Sequence, residues 1–206
     1  GLGNIGGPMA TSLAKWEGAM TVFDLSEKAV ATLVDAGAAA ADSLADLGAR
    51  ADIIGICVLN DAQVVQVVSG EGGLLSTAAP GTIIAIHSTI SPRTAIDLAA
   101  EAAEKGVVVL DAPISGGAVA AQSGRLAVMV GGPREAYTRL KEPYKLTAEM
   151  LIHAGDEVGA GTRMKLARNL LHFIAFTATA EASRLAEAAG IDPVKLAELF
   201  QGQQGG

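Results

Sequence analysis

The chain has 206 residues, half of them hydrophobic, with one cysteine and 22 acidic against 15 basic side chains, a net charge of −7. This acidic balance lacks the basic surface that a phosphate backbone requires, so we exclude nucleic acid as a partner. A lone cysteine forms no internal disulfide and no cysteine-rich metal site, which indicates a reducing, cytoplasmic setting without a structural metal. No window approaches the ~18 uninterrupted apolar residues of a membrane span, so we expect no membrane association.

The two ends of the sequence are unusual. The chain begins at Gly1 inside a glycine motif, with no strand ahead of it, and residues 201–206 contain only glutamine and glycine. We therefore expect a fragment of a longer protein that lacks its first strand.

Short apolar runs alternate with helix-period segments through about residue 155, the pattern typical of βαβ units. The predicted strands are 20–24, 52–59, 82–87, 107–111 and 126–130, and the predicted helices are 5–15, 26–36, 61–69, 91–105 and 133–146. The continuous apolar runs indicate a parallel sheet covered on both faces by helices. A long helix is predicted over 160–189, and Asp192-Pro193 opens another as N-cap and first-turn proline. The fold class is therefore α/β, a doubly wound sheet over residues 1–157, followed over 158–206 by a long helix and the start of an all-α domain.

The first chemical signal is the glycine motif Gly1–Gly6, in which Gly1, Gly3 and Gly6 follow the spacing GxGxxG. Glycines at these positions permit a tight turn and a close approach of the backbone to a pyrophosphate at the start of the following helix. This pattern predicts a dinucleotide-binding loop.

Asp24 ends the next predicted strand, eighteen residues after Gly6. This is close to the ~20-residue spacing of a carboxylate that binds the adenosine ribose hydroxyls. Because a carboxylate repels a 2′-phosphate, Asp24 favours NAD over NADP. The alternative is that Asp24 only caps the next helix.

Four motifs in order along the chain carry a resemblance to a known family. They are Gly1–Met9, His87–Pro92, Asp111–Gly117 and Gly159–Asn169. In this order they resemble the β-hydroxyacid dehydrogenases, which include 3-hydroxyisobutyrate and 6-phosphogluconate dehydrogenases and tartronate semialdehyde reductase. The resemblance spans nearly the whole chain. It implies an N-terminal Rossmann domain, a long interdomain helix, and a helical domain that builds a homo-oligomer, a dimer or tetramer.

The resemblance also implies which residues contact the cofactor. In addition to the three glycines and Asp24, it assigns this role to Asn4 and Ile5 of the motif and to Thr89. Leu59 and Asn60 stand where relatives often carry Leu-Pro, a departure at a position that lines the cofactor. An alternative for Thr89 is that it caps a turn or helix before Pro92.

By resemblance, Asp111–Gly117 is the substrate loop. It follows an apolar strand, so it lies at the carboxyl edge of the sheet, where open α/β folds bind ligands. The N–H groups of Ser115, Gly116 and Gly117, with the serine hydroxyl, predict an anion site for a substrate carboxylate. The alternative is a simple glycine turn between strand and helix.

Lys165 and Asn169 are the catalytic candidates. They lie four residues apart on a predicted helix and so share one face. A lysine of lowered pKa accepts the proton of an alcohol, and an asparagine amide orients the hydroxyl or carboxylate. Arg168 departs from the family pattern, where Asn or His is common, and suits either a second anionic group or solvent.

We therefore expect an NAD-dependent oxidation of a small 3-hydroxy acid such as 3-hydroxyisobutyrate, with NADP the less favoured cofactor. A tartronate semialdehyde or imine reductase is the same-fold alternative. A catalytically silent dinucleotide-binding scaffold is the alternative from another class, although Lys165 and Asn169 together count against it.

Overall fold

The structure, a computed structural model, describes residues 1–203, with side chains through residue 199. The chain divides into two compact units, the first comprising Gly1–Lys165 and the second beginning at Leu166. The first unit alternates strands with helices and the second is helical, which confirms the predicted α/β class followed by a long helix.

The strands are short and most are apolar. They are β1 (Thr21–Val22), β2 (Ala39–Ala40), β3 (Ile53–Ile56), β4 (Ile83–Ile86), β5 (Val108–Asp111), β6 (Ile114–Ser115), β7 (Leu126–Gly131) and β8 (Ala148–Gly155). All five predicted strands are confirmed, four with shorter bounds and β7 one residue longer, whereas β2, β6 and β8 were not predicted.

The helices begin and end close to the predicted bounds. They are α1 (Gly6–Leu13), α2 (Glu27–Asp35), α3 (Leu44–Arg50), α4 (Asp61–Val68), α5 (Pro92–Ala103), α6 (Gly117–Gln122), α7 (Arg134–Tyr144), α8 (Ala160–Ala188) and α9 (Pro193–Gln203). Side-chain caps fix several starts, since Ser26, Ser43 and Asn60 each accept a hydrogen bond from a first-turn amide. Helices α3 and α6 were not predicted.

Strands β3, β4 and β5 pair in parallel, so their carboxyl ends meet at one edge of the sheet. Strand β7 then runs antiparallel to β5 and to β6, and β8 pairs in parallel with its other edge. The sheet is thus mixed, and the parallel strands β3, β4 and β5 lie at the end nearer the glycine motif. All four residues of β4 are buried, as expected for a central strand with helices on both faces.

Strands β1 and β2 form a separate two-stranded sheet. A cavity of about 610 Å³ lies between it and β3, lined from one side by Thr21–Phe23 and from the other by Asp52–Gly55. Gly1 and Gly6 also line this cavity, but Asn4, Asp24 and Lys165 do not. The cavity therefore lies between two strand edges and reaches the glycine loop, but its lining does not include Asp24 or Lys165.

The second unit continues α8 and adds α9. Large apolar side chains are exposed along both helices, among them Leu170, Leu171, Phe173, Ile174, Phe176 and Leu199. Within the described residues, no helix combines the length and apolar composition that crossing a membrane requires.

Candidate active site

The glycine motif forms a tight loop against the carboxyl end of β3. A side-chain carbon on Gly1 would overlap the carbonyl oxygen of Cys57, and one on Gly6 would overlap the carbonyl oxygen of Gly1. By contrast, no atom lies within 4 Å of the corresponding position on Gly3. Two glycines of the motif therefore permit close backbone packing, and the third leaves open space beside the loop.

Helix α1 begins immediately after this loop. It starts after Ile5, whose aliphatic side chain has no acceptor for the first-turn amides, and no acidic side chain lies in the first turn. The amide of Gly7 donates to the carbonyl oxygen of Gly3 at 2.9 Å. The amide of Met9 donates to the carbonyl oxygen of Ile5 at 3.1 Å, and Pro8 has no amide hydrogen. The candidate amides for a phosphate are therefore those of Asn4 and Ile5, just before this turn, and Asn4 is exposed there.

Asp24 lies directly against the glycine loop. Its carboxylate accepts one hydrogen bond from the amide of Leu2 at 2.6 Å and another from the amide of Ser26 at 2.8 Å. Partial burial alone would raise the pKa of Asp24, but the backbone donors outweigh it and lower the pKa below its ordinary value. The carboxylate stays ionised and retains lone pairs for further donors, as binding ribose hydroxyls requires.

Two further loops meet at the same sheet edge. The hydroxyl of Ser88, just after β4, donates to the carbonyl oxygen of Val58 at 2.7 Å and accepts from the amide of Val58 at 3.1 Å. These bonds join the loop that carries Leu59 to the loop that carries Thr89. Leu59 is 87% exposed, and Thr89 is exposed as well.

Asn60 also has a structural role that sequence reasoning missed. Its amide oxygen accepts from the amide of Gln63 at 3.0 Å, and the side chain of Gln63 accepts from the amide of Leu59 at 2.9 Å. These two bonds resemble a capping box, except that Gln63 accepts from the residue before the N-cap, and the spacing Asn-x-x-Gln could have indicated them.

The chain's own residues therefore fit a dinucleotide. The loop packs as only glycines allow, the space at Gly3 is open, the first turn of α1 has no acidic side chain, and Asp24 adjoins the loop. The structure brings these predicted cofactor residues together, with Leu59, Asn60 and Thr89 at the neighbouring strand ends.

The predicted substrate loop crosses from β6 to α6. Ser115 ends β6 and is half-buried, while Gly116 and Gly117 are exposed, with φ of +124° and +67°. These left-handed backbone angles explain why both positions are glycine. The loop follows β5 by a few residues, so it begins at the carboxyl edge of the sheet.

Lys165 lies in α8 within the first unit and is only 8% exposed. A buried lysine is uncommon on a helix, and burial is the environment in which a lysine serves as an acid or base. Asn169 lies four residues further along the same helix, within the second unit, and is half-buried. There its amide oxygen accepts a hydrogen bond of 3.5 Å from exposed Arg168.

Asp111 is the residue of this edge that sequence reasoning missed. One carboxylate oxygen accepts from the amide of Gly159 and the other from the amide of Thr162, both at 2.6 Å. Burial raises the pKa of Asp111 above its ordinary value, although the amides of Thr162 and Gly159 oppose that rise. Its position as the first residue of the motif Asp111–Gly117 was the available signal.

The histidines do not form a metal site. His87 lies in the core. The Nε2 atom of His153 lies 2.8 Å from the carbonyl oxygen of Gly132, and because that oxygen only accepts, Nε2 carries the proton and donates. Among the described residues, no group of three or more His, Cys, Asp or Glu side chains could hold a metal ion. His172 lies in the second unit and is exposed.

Comparison with known proteins identifies the family. Residues 1–155 match the model of the NAD binding domain of 6-phosphogluconate dehydrogenase. An uncharacterized oxidoreductase of Mycobacterium tuberculosis is 55% identical over 201 residues, covering 98% of this chain and 68% of that protein. The 3-hydroxyisobutyrate dehydrogenase of Pseudomonas aeruginosa is 41% identical over 207 residues, covering 100% of this chain and 69% of that protein.

A solved structure shows the same relationship. The 3-hydroxyisobutyrate dehydrogenase of Mycobacterium tuberculosis, solved with L-serine, has a TM-score of 0.90 at 32% identity, over 98% of this chain and 68% of that one. The chain therefore belongs to the family of oxidoreductases that share the 6-phosphogluconate dehydrogenase NAD-binding domain and include the 3-hydroxyisobutyrate dehydrogenases.

Proposed function

We propose that this protein oxidises a small 3-hydroxy acid of the 3-hydroxyisobutyrate type to its semialdehyde, with NAD as the cofactor. The observation that carries the proposal is a buried lysine in helix α8. The start of this helix is hydrogen-bonded to the carboxyl edge of the sheet, and the glycine loop packs against the same edge. Lys165 is that lysine, and Asp111 supplies the connection.

The reaction removes a hydride from the carbinol carbon and a proton from its oxygen. When bound, NAD supplies the hydride acceptor. Lys165 in its neutral form takes the hydroxyl proton, and in its protonated form it stabilises the developing negative charge on that oxygen. The buried position of Lys165, only 8% exposed, holds its amine away from bulk solvent.

We propose that the substrate carboxylate binds the loop Ser115–Gly117. Two successive glycines leave this loop without side chains beside its backbone amides, which supports close approach of an anion. The role of Asn169 in orienting the substrate, and the contact of Leu59, Asn60 and Thr89 with the cofactor, remain predictions from the sequence.

NAD is preferred over NADP in this proposal because Asp24 adjoins the loop as an ionised carboxylate. A ribose with free hydroxyls donates to it, whereas a 2′-phosphate would be repelled. We further propose residues 1–157 as the cofactor domain, residues 158–206 as the start of the substrate domain, and a homo-oligomeric assembly.

The names of the relatives support the substrate class. One is a 3-hydroxyisobutyrate dehydrogenase, and the solved homologue carries L-serine. Both of these compounds are short carboxylates that bear a hydroxymethyl group on the carbon next to the carboxylate, so a single pocket that binds the carboxylate presents the same hydroxyl in each.

The test uses the full-length protein and initial rates of NAD and NADP reduction across a panel of short 3-hydroxy acids. The Lys165→Ala variant is measured beside Lys145→Ala, which removes an exposed lysine paired with Glu142. We expect NAD reduction with one or a few of these acids, lost in Lys165→Ala and kept in Lys145→Ala. Normal turnover of Lys165→Ala would overturn the mechanism, and no turnover of the panel by a protein that binds NAD would favour a reductase or a silent scaffold.

A further inference from the structure

Asp111 is held rigidly in the centre of the first unit. It is the last residue of β5, where it pairs with Ile86 of β4 on one side and with Gly131 of β7 on the other. Asp111 is 1% exposed, and its carboxylate accepts hydrogen bonds from the amides of Gly159 and Thr162. The carboxylate therefore caps the start of α8 from a strand that is 48 and 51 residues away in sequence.

The backbone around this carboxylate is shaped for close contact. A side-chain carbon on Gly161 would lie 2.7 Å from the backbone oxygen of Asp111 and 2.9 Å from the amide nitrogen of Gly131. One on Gly131 would lie 2.6 Å from the amide nitrogen of Gly161 and would overlap the Asp111 carboxylate. Gly159 has φ of +94°, which places its amide toward Asp111 in a conformation that other residues rarely adopt.

From these contacts we infer that Asp111 is a positioning residue that fixes the side chain of Lys165 by binding the first turn of its helix. The inference rests on the proposed function, because it assumes that Lys165 handles the substrate proton. Asp111 itself touches neither substrate nor cofactor in this role.

The helix transmits this contact over a short distance. Lys165 follows Thr162 by three residues, which is less than one turn and about 4.5 Å along the helix axis. The two hydrogen bonds join different oxygens of one carboxylate, so they fix both the position and the rotation of the first turn. A displacement of about 1 Å at a catalytic group costs on the order of 10²-fold in rate.

Asp111→Asn separates positioning from binding. An amide has one oxygen acceptor, so one of the two backbone amides would then face an NH₂ group. In the full-length enzyme we expect kcat to fall about 10-fold or more, while KM and the Kd for NAD each change by less than about threefold. The matched control Asp97→Asn, at an exposed position on α5, should leave all three unchanged.

A double-mutant cycle with Lys165→Ala tests whether Asp111 acts through the lysine. If it does, Asp111→Asn causes no further loss in residual turnover once Lys165 is gone. Equal losses in both backgrounds, or an unchanged kcat in Asp111→Asn, would overturn the inference. Normal turnover by Lys165→Ala alone would instead refute the proposed function, so the two failures are distinguishable.

Gly161→Ala tests the same positioning role while leaving the Asp111 carboxylate unchanged. Its methyl group would displace the start of α8 from the sheet, and we expect the same loss in kcat with NAD binding retained. Failure of both variants to fold would show that Asp111 is needed for the fold rather than for positioning, and would overturn the inference.

Discussion

The imidazole of His87 and the hydroxyl of Tyr144 are joined by a 2.7 Å hydrogen bond in the core of the first unit. The other ring nitrogen of His87 lies 2.8 Å from the carbonyl oxygen of Ala112. Because a carbonyl only accepts, Nδ1 carries the proton, and Nε2 therefore accepts from the Tyr144 hydroxyl. This pair connects the end of β4 to the end of α7 and satisfies both side chains in the interior.

We expect Tyr144→Phe to destabilise the protein by about 1–3 kcal/mol, because it leaves a buried acceptor of His87 without a donor. The free energy of unfolding from urea denaturation measures this effect. Tyr137→Phe is the matched control, since its hydroxyl donates to the carbonyl oxygen of Leu151 at 3.2 Å in a partly buried site. A loss in Tyr144→Phe no greater than in the control would contradict the importance of the buried pair.

Stability should fall as the pH drops below neutrality because of His87. Burial lowers the pKa of His87 from 6.5 to about 4, while the hydrogen bond with Ala112 opposes that change. Between these values the unfolded chain binds a proton that the folded chain does not, so acid favours unfolding by up to about 3 kcal/mol. Above pH 6.5 the residue is neutral in both states and contributes no pH dependence.

The measurement is the free energy of unfolding from pH 7.5 to 4.5 for the natural protein and His87→Gln. The difference between the two isolates His87, since Asp24 and Asp61, whose pKa values are lowered, lose their stabilising effect only as the pH falls below 3.8. Asp111 has a raised pKa and acts in the opposite sense as its carboxyl ionises above 3.8, equally in both proteins. Parallel pH curves for the two proteins would refute the assignment to His87.

Asp24→Asn should shift the cofactor preference toward NADP. The substitution removes the charge that repels a 2′-phosphate and keeps an acceptor for the amide of Leu2. We expect the ratio of kcat/KM for NADP to that for NAD to rise about 10-fold or more, in line with the removal of one unfavourable charge pair. Asp35→Asn, exposed at the end of α2, serves as the control, and an unchanged ratio would show that Asp24 does not face the ribose.

Ser88→Ala should weaken cofactor binding without abolishing turnover. Its hydroxyl makes both hydrogen bonds that join the loop after β3 to the loop after β4. We expect a KM for NAD higher by about 3- to 10-fold, with kcat changed less, as for the loss of roughly 1 kcal/mol of preorganisation. Steady-state kinetics with varied NAD measure this, and Ser123→Ala on the exposed end of α6 is the comparison. An equal effect of both substitutions would contradict a specific role for Ser88.

Much of the fold was predictable because the central strands are buried on both faces. All four residues of Ile83–Ile86 are buried, so a continuous apolar run in the sequence is enough to predict a central strand there. Strand β8 was missed because its residues Glu149 and Met150 are exposed and its sequence lacks a continuous apolar run. Helix α3 was missed because Gly48 interrupts its pattern, a glycine that packs against the backbone of Leu74.

The site was predictable where its chemistry lies in local spacing. The spacing of the glycines and Asp24 predicts that the carboxylate lies beside the glycine loop. In the structure the amide of Leu2, within that loop, donates to Asp24. The hydrogen bonds of Asp111 and the pairing of His87 with Tyr144 connect residues 48 to 57 positions apart. No local pattern encodes such a pairing, since it depends on which strand ends the fold brings together.

The carboxylate of Asp111, which caps the start of α8, also separates the part of the chain that positions Lys165 from the part that follows it. The start of α8 is hydrogen-bonded to Asp111 in the first unit, so the position of the Lys165 amine is set by contacts within that unit. Residues from Leu166 onward can then diverge while the position of the amine relative to the sheet is preserved. Sequence changes along the later helix turns are thus separated from the geometry that holds this amine.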